Sequence, residues 1–230
     1  MPFYLGRKAI RKVPGAVIKV APLPKPELIE GFGKRDTVGE ICENEGYRSV
    51  LLVTDQTLFR LGLHEKVTAS LEAHGVPYTL FYEIDSEPTV RIVDAGRKKA
   101  TECGADCIVA LGGGSVMDSS KIIAAGAKHP NAPITHYLHK FAFANRGTLP
   151  MINIPSTAGT GAECTVGAVV KNKHGTKLTF LPTRTPIRPT AVTLSAPSTS
   201  TRWKSTRSPR VCITRTTSPS PSTARVAHLP

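Results

Sequence analysis

Short apolar segments alternate with amphipathic segments along the middle of this chain, and this restricts the fold more than any other feature. Apolar runs of strand length occur at 49–55, 78–84, 106–111 and 150–155. Helical segments are predicted around Leu63–Leu71 and over 89–103 and 115–127, and glycines follow the first two at the C-cap. Near-continuous apolar strands between helices are typical of a parallel sheet covered by helices. The sequence therefore predicts an α/β domain.

This order stops after Phe180. Residues 181–230 contain 27 Ser, Thr or Pro residues, eight basic residues, no acidic residue and no glycine, whereas the whole chain has a net charge of +13. A segment of that composition buries too little apolar surface to offset the entropy lost on ordering. We therefore predict two parts, an α/β domain over 1–180 and a basic, disordered tail over 181–230.

The stretch VALGGGSVMDSSK, residues 109–121, places Gly112, Gly113 and Gly114 between a predicted strand and a predicted helix. Glycines let the backbone turn sharply and approach a ligand, and the N-terminus of a helix favours an anion such as a phosphate. Two alternatives remain open. The glycines would also suit a tight connection without a ligand, and Ser115 with Asp118 resembles a capping box.

A second turn rich in small residues, PSTAGTGAECT, follows the strand at 150–155 and includes Ser156, Thr157 and Thr160. Hydroxyl groups and exposed N–H groups can together hold a ribose or a diphosphate, although hydroxyls also cap helices. Asp55 ends the first strand, where its carboxylate could accept from ribose hydroxyls or cap the next helix. Ligands of parallel sheets bind at the carboxyl ends of strands, so two such turns favour one shared ligand.

Other candidate sites carry less weight. His136 and His139 have a helical spacing that could hold a metal, but no acidic residue lies nearby, and we expect solvated loop histidines.

Five cysteines without a CxxC pair predict reduced thiols in a cytoplasmic protein. No apolar run reaches the roughly 18 residues of a membrane span, so we expect no membrane partner.

Together, GGGSVMDSSK, INIPSTAGTGAECT, LLVTDQTL and KHGTKL resemble the corresponding segments of the iron-containing (group III) alcohol dehydrogenases. The resemblance runs from about Gly31 to Leu178. It implies a dinucleotide-binding (Rossmann-like) domain that binds NAD or NADP. It also implies NAD(P)-linked hydride transfer between a small alcohol and an aldehyde or ketone, in a chain that could form homo-oligomers.

Carried over position by position, the resemblance implies roles for individual residues. Asp55 would lie near a ribose of the cofactor, and Asp118 would support the glycine turn. The diphosphate would lie against Gly112, Gly113, Gly114 and Ser115. Ser156, Thr157 and Thr160 would line the nicotinamide side, and Lys177 would contact a ribose.

The second half of the family is a helical domain in which one Asp and three His bind a divalent metal, iron or sometimes zinc. This chain has no aspartate after Asp118 and only His228 after Lys177, so we name no metal ligand and no catalytic residue. The disordered tail stands where the family has that domain. The alternative function is therefore a catalytically inactive fragment, truncated or continued in a wrong reading frame after residue 178.

Nucleic-acid binding is a third candidate function, because eight positive charges in the tail could contact phosphates. The tail has one aromatic residue, Trp203, and so lacks a platform on which bases could stack. We therefore expect no specific nucleic-acid partner.

Overall fold

The computed structural model describes residues 27–85, 87–132, 134–135, 147–165, 167–180 and 189–193. The strands are β1 (Glu27–Glu30), β2 (Val50–Asp55), β3 (Tyr78–Ile84), β4 (Cys107–Gly112), β5 (Met151–Pro155), β6 (Ala168–Lys171), β7 (Lys177–Phe180) and β8 (Pro189–Thr193). The helices are α1 (Val38–Asn44), α2 (Gln56–Arg60), α3 (Glu65–Ala73), α4 (Val90–Glu102) and α5 (Gly114–Lys128), with 3₁₀ turns at Lys34–Thr37 and Ala162–Cys164. Within these ranges no helix combines the length and the apolar character needed to cross a membrane.

Six strands form one sheet in the order β1-β8-β5-β4-β2-β3, and every neighbouring pair is parallel. The four strands predicted from apolar runs lie side by side as β5, β4, β2 and β3. Strands β6 and β7 form a separate antiparallel hairpin. The predicted parallel α/β architecture is therefore confirmed.

Helices cover both faces of the sheet, so its central strands are buried on both sides. On β2, Leu51 and Val53 belong to one apolar cluster, which α4 and α5 complete with residues such as Ile92 and Ile123. The intervening Val50 and Leu52 belong to a second cluster, completed by α1 and α3. Since successive side chains of a strand point to opposite faces, continuous apolar runs are what this three-layer arrangement requires.

Strand β8 lies beyond the composition change at Phe180. It pairs with β5 through Met151 and Pro189 and with β1 through Glu27 and Thr190. The expected disorder of 181–230 therefore does not extend over Pro189–Thr193, and the sheet continues past the predicted domain boundary. The other residues of that segment lie outside the described residues.

The β6–β7 hairpin, called the hairpin below, is attached to α5 by two charged side chains. Asp118 accepts from the backbone N–H of Val169 on β6 at 3.0 Å. Lys121 is 3% exposed, and its Nζ donates to Asp118 Oδ1 at 3.2 Å, to Thr165 Oγ1 at 3.0 Å and to the carbonyl of Gly167 at 2.8 Å. All three protons of the ammonium group are used, so Lys121 joins the helix to the chain entering the hairpin.

On the opposite face, α1 packs on α3 through a glycine. The N–H of Gly39 donates to Ser70 Oγ at 2.9 Å, and that hydroxyl donates to the carbonyl of Asp36 at 2.6 Å. A Cβ atom at residue 39 would lie 2.0 Å from the backbone oxygen of Ser70. The two helices can approach this closely only because residue 39 lacks a side chain.

We predict that Gly39→Ala destabilises the fold by about 3 kcal/mol, because the added methyl group must push two backbones apart. Alanine has the higher helix propensity, so any loss must come from this steric conflict. Urea denaturation of the full chain measures the change. Glu40→Ala, at the exposed neighbouring position, is the matched control and should change stability by less than about 0.5 kcal/mol. Equal stability of the two variants would contradict the packing described.

We predict that Lys121→Met lowers the free energy of unfolding by about 3 kcal/mol, because Asp118 loses its buried counter-charge. Methionine has a similar length but donates no hydrogen bond. Chemical denaturation of the full chain provides the measurement, with Lys128→Met, at an exposed position of the same helix, as control. A loss no greater than that of the control would show that Lys121 does not hold the hairpin.

Candidate functional site

The two turns singled out in the sequence meet at the carboxyl edge of the sheet. Strands β4 and β5 are neighbours, and Gly112 pairs in register with Pro155. The N–H of Ser156 donates to the carbonyl of Gly112 at 2.9 Å. Because parallel strands end at the same edge, the glycine turn and the hydroxyl-rich turn lie directly beside each other.

The three glycines serve different purposes. Gly112 is buried below the turn, where a Cβ would lie 2.5 Å from Cγ2 of Val116, so close packing of strand and helix requires it. A Cβ at Gly113 would lie 3.1 Å from Thr157 Oγ1. A Cβ at Gly114 would lie 3.4 Å from Cγ2 of Thr160. The second turn therefore rests against the bare backbone of the first.

Helix α5 starts directly at the glycine turn. Its N-cap is Gly113, and no side chain caps its first N–H groups. The capping-box alternative for Ser115 and Asp118 is therefore wrong, because Asp118 is instead bonded to Lys121 and to the N–H of Val169. The first N–H groups of a helix lack partners within it, and together with the helix dipole they favour an anion at this position.

Two adjoining cavities lie at these turns. The larger, called the turn cavity, has a volume of about 650 Å³ and is lined by Asp55, Gly113, Gly114, Ser115, Ser156 and Thr157 among others. The smaller, called the hairpin cavity, has a volume of about 230 Å³ and is lined by Gly114, Ser115, Asp118 and Lys177 among others. Gly114 and Ser115 line both cavities, and eight of the ten predicted site residues line one or the other. Of the remaining two, Gly112 pairs with Pro155 and Thr160 lies against Gly114.

Asp55 lines the turn cavity and also caps a helix. Its Oδ1 accepts from the N–H of Leu58 at 2.8 Å, so it is the N-cap of α2. The capping alternative is thus confirmed. The side chain still borders the turn cavity, where its second oxygen could accept from a ribose, and that role stays a prediction.

Sequence reasoning missed charged residues in and near these cavities, among them Glu87, Lys171 and Lys121. Glu87 borders both cavities and forms an ion pair with Lys171 of the hairpin. The hydrogen bond from Lys171 lowers the pKa of the Glu87 carboxyl, with a smaller contribution from Lys177. Burial lowers the pKa of Lys121, and Asp118 partly offsets this effect. Lys121 belongs to the quoted motif, so its spacing from Asp118 could have indicated the contact; Glu87 and Lys171 are 84 residues apart and gave no local signal.

The histidines considered as metal ligands, His136 and His139, lie outside the described residues. No group of three or more His, Cys, Asp or Glu side chains in the described ranges is placed to hold a metal ion. A further cavity of about 1,040 Å³ lies between α4 and the hairpin, where Ile92, Arg97 and Leu178 contribute to its wall. It contains none of the ten predicted residues.

Comparisons with known proteins agree with this geometry. The family model described as iron-containing alcohol dehydrogenase matches residues 25–195. The similarity therefore continues beyond Leu178 and includes β8. Lactaldehyde reductase of Escherichia coli (strain K12) is 33% identical over 146 residues, which is 62% of this chain and 38% of that protein. Choline dehydrogenase of Bacillus subtilis (strain 168) is 34% identical over 152 residues, 65% of this chain and 38% of that protein.

Solved structures share the fold. The NADH-dependent butanol dehydrogenase A of Thermotoga maritima superimposes with a TM-score of 0.67 at 25% identity, over 74% of this chain and 43% of that chain. The sulfoacetaldehyde reductase of Bifidobacterium kashiwanohense, solved in complex with NAD⁺, gives a TM-score of 0.63 at 26% identity, over 74% of this chain and 45% of that chain.

This chain thus spans about two-fifths of the length of the curated relatives named here. Within that span, β4 and β5 end side by side and carry the two small-residue turns. The family model matches most of the chain, including both turns. The chain belongs to the iron-containing alcohol dehydrogenase family.

Proposed function

We propose that this chain binds NAD(H) along the carboxyl edge of the sheet, as the cofactor part of an alcohol dehydrogenase. The observation that carries the proposal is the adjacency of the glycine turn and the hydroxyl-rich turn at the ends of β4 and β5. Gly113, Gly114 and Ser115 would hold the diphosphate at the start of α5. A named relative of the same fold was solved with NAD⁺.

The other residues that line the two cavities would hold the rest of the cofactor. Asp55, in the wall of the turn cavity, would accept from a ribose hydroxyl. Ser156, Thr157 and Thr160, on the hydroxyl-rich turn, would line the nicotinamide side. Lys177, in the hairpin cavity, would contact the other ribose. Bound NAD⁺ would supply the hydride acceptor, and these residues would orient it and hold its charge.

We propose NAD rather than NADP as the preferred cofactor. The carboxylates of Asp55 and Asp85 both border the turn cavity. A 2′-phosphate on the adenosine ribose would bring two negative charges towards Asp55, whereas a free hydroxyl can donate to it.

The reaction we propose is hydride transfer between a small alcohol and the corresponding aldehyde or ketone. The relatives named lactaldehyde reductase and NADH-dependent butanol dehydrogenase act on substrates of that size. The family's metal does not fit the residues described, because they bring no three ligands together and the sequence has no aspartate after Asp118. We propose that the chain alone binds the cofactor without turnover.

The first test separates binding from catalysis. We predict that NADH at about 100 times its dissociation constant raises the thermal midpoint of the full chain by about 5–10 °C, because the ligand binds only the folded state. NAD-dependent oxidation of simple alcohols, assayed with added Fe²⁺ or Zn²⁺, should stay at the background rate. An unchanged midpoint would refute cofactor binding, and clear turnover would refute the inactive state.

The second test addresses the cofactor preference. We predict that Asp55→Asn raises the affinity for NADPH about tenfold and weakens NADH binding a few-fold, because it removes the charge near the 2′ position. Asparagine keeps a side-chain oxygen that can still cap α2. Fluorescence titration with both cofactors gives the ratio of affinities, and Asp36→Asn, away from both cavities, serves as the control. An unchanged ratio would place the adenosine ribose elsewhere.

A further inference from the structure

An acidic side chain lies where the proposed function places the most negative part of the ligand. Glu87 borders the turn cavity and the hairpin cavity, as do Gly114 and Ser115 at the start of α5. The start of a helix attracts an anion, whereas a carboxylate at the same place repels one. The position of Glu87 therefore needs an explanation beyond simple cofactor binding.

Cations are few in this region. Among the described residues lining the two cavities, the basic side chains are Lys171 and Lys177, both in the hairpin cavity. Glu87 is paired with Lys171, so in the absence of ligand one of these two positive charges is already neutralised. Asp118 takes no part in this pairing, because Lys121 and the N–H of Val169 occupy its oxygens.

We propose that Glu87 competes with the dinucleotide's diphosphate for Lys171, so that binding of NAD(H) exchanges one ion pair for another. This inference rests on the proposed function. When the diphosphate binds at Gly114 and Ser115, the Lys171 ammonium turns to it and the Glu87 carboxylate moves to water. Glu87 is thereby a residue that sets affinity: it weakens phosphate binding and leaves the uncharged parts of the ligand unaffected.

The exposure of the pair makes such an exchange feasible. The Glu87 side chain is 51% exposed and the Lys171 side chain 36% exposed. A half-exposed carboxylate released from its partner regains hydration at little cost, because solvent already screens most of the attraction within an exposed ion pair. The hairpin backbone stays in place meanwhile, because the N–H of Lys171 donates to the carbonyl of Pro88 at 2.7 Å.

The experiment compares ligands that differ in phosphate charge. The full chain and its Glu87→Gln variant are titrated with NADH, ADP and adenosine by calorimetry at low ionic strength. We expect Glu87→Gln to bind NADH and ADP about three- to tenfold more tightly and adenosine unchanged, with the gain shrinking in about 0.5 M NaCl. Glu102→Gln removes the same charge at the far end of α4, outside both cavities, and should leave all three affinities unchanged.

Two further variants test the role of Lys171. Lys171→Gln should weaken ADP binding about three- to tenfold, because Glu87 then lacks its counter-charge. The double variant Glu87→Gln with Lys171→Gln should return to within about twofold of the original affinity, because a neutral pair again borders the cavity.

The outcomes distinguish this inference from the proposed function. If the unaltered chain binds NADH and Glu87→Gln is no tighter, or tightens adenosine equally, the exchange is overturned and cofactor binding stands. An unchanged affinity in Lys171→Gln also overturns it. If neither the chain nor any variant binds NADH or ADP, the proposed function is wrong, and the proposed exchange of ion pairs is wrong as well.

Discussion

The register between β4 and β5 is the constraint on which the site depends. Pairing of Gly112 with Pro155 makes both strands end at the same level, and the N–H of Ser156 extends the ladder by one further bond. A register shift by one residue would turn each side chain to the other face of the sheet. The hydroxyls of the second turn would then no longer lie against Gly113 and Gly114. Continuous apolar strands, buried on both faces, hold this register in place.

The charges around the site fall into two groups. The buried Lys121 and the partly buried Asp118 bond to each other and to backbone groups, so they fix the position of the hairpin. The side chains of Glu87 and Lys171 form a more exposed ion pair. Buried, satisfied charges maintain geometry, whereas exposed ones can change partners.

The sequence predicted the four adjacent strands β5, β4, β2 and β3 and three of the helices, because periodicity and glycine C-caps are local signals. The predicted bounds of the strand at 78–84 match those of β3. The predicted bounds of α4 and α5 differ from the observed ones by one residue at each end. The remaining parts depend on contacts that are distant in sequence. Strand β1 has only four residues and the 3₁₀ turn Ala162–Cys164 only three, too few for a periodic signal. The two turns and their neighbours Asp55, Asp118 and Lys177 could be predicted, but the ion pair between Glu87 and Lys171 could not.

Strand β8 shows most clearly where local reasoning ends. Composition separated residues 181–230 from the domain, because Pro, Ser and Thr dominate there. The segment Pro189–Thr193 nevertheless contains three β-branched residues, and it lies between two strands that provide hydrogen-bond partners on both sides. Average composition over fifty residues cannot resolve a five-residue strand whose stability comes from its neighbours.

The position of β8 has a consequence for proteolysis and for shortened chains. Since β8 alone connects β1 with β5, removal of everything after Phe180 would detach β1 and expose the backbone of β5 as an open edge. Such an edge offers a row of unused N–H and C=O groups to other molecules. A chain cut there would lose part of its sheet and acquire a surface on which further copies could assemble into aggregates.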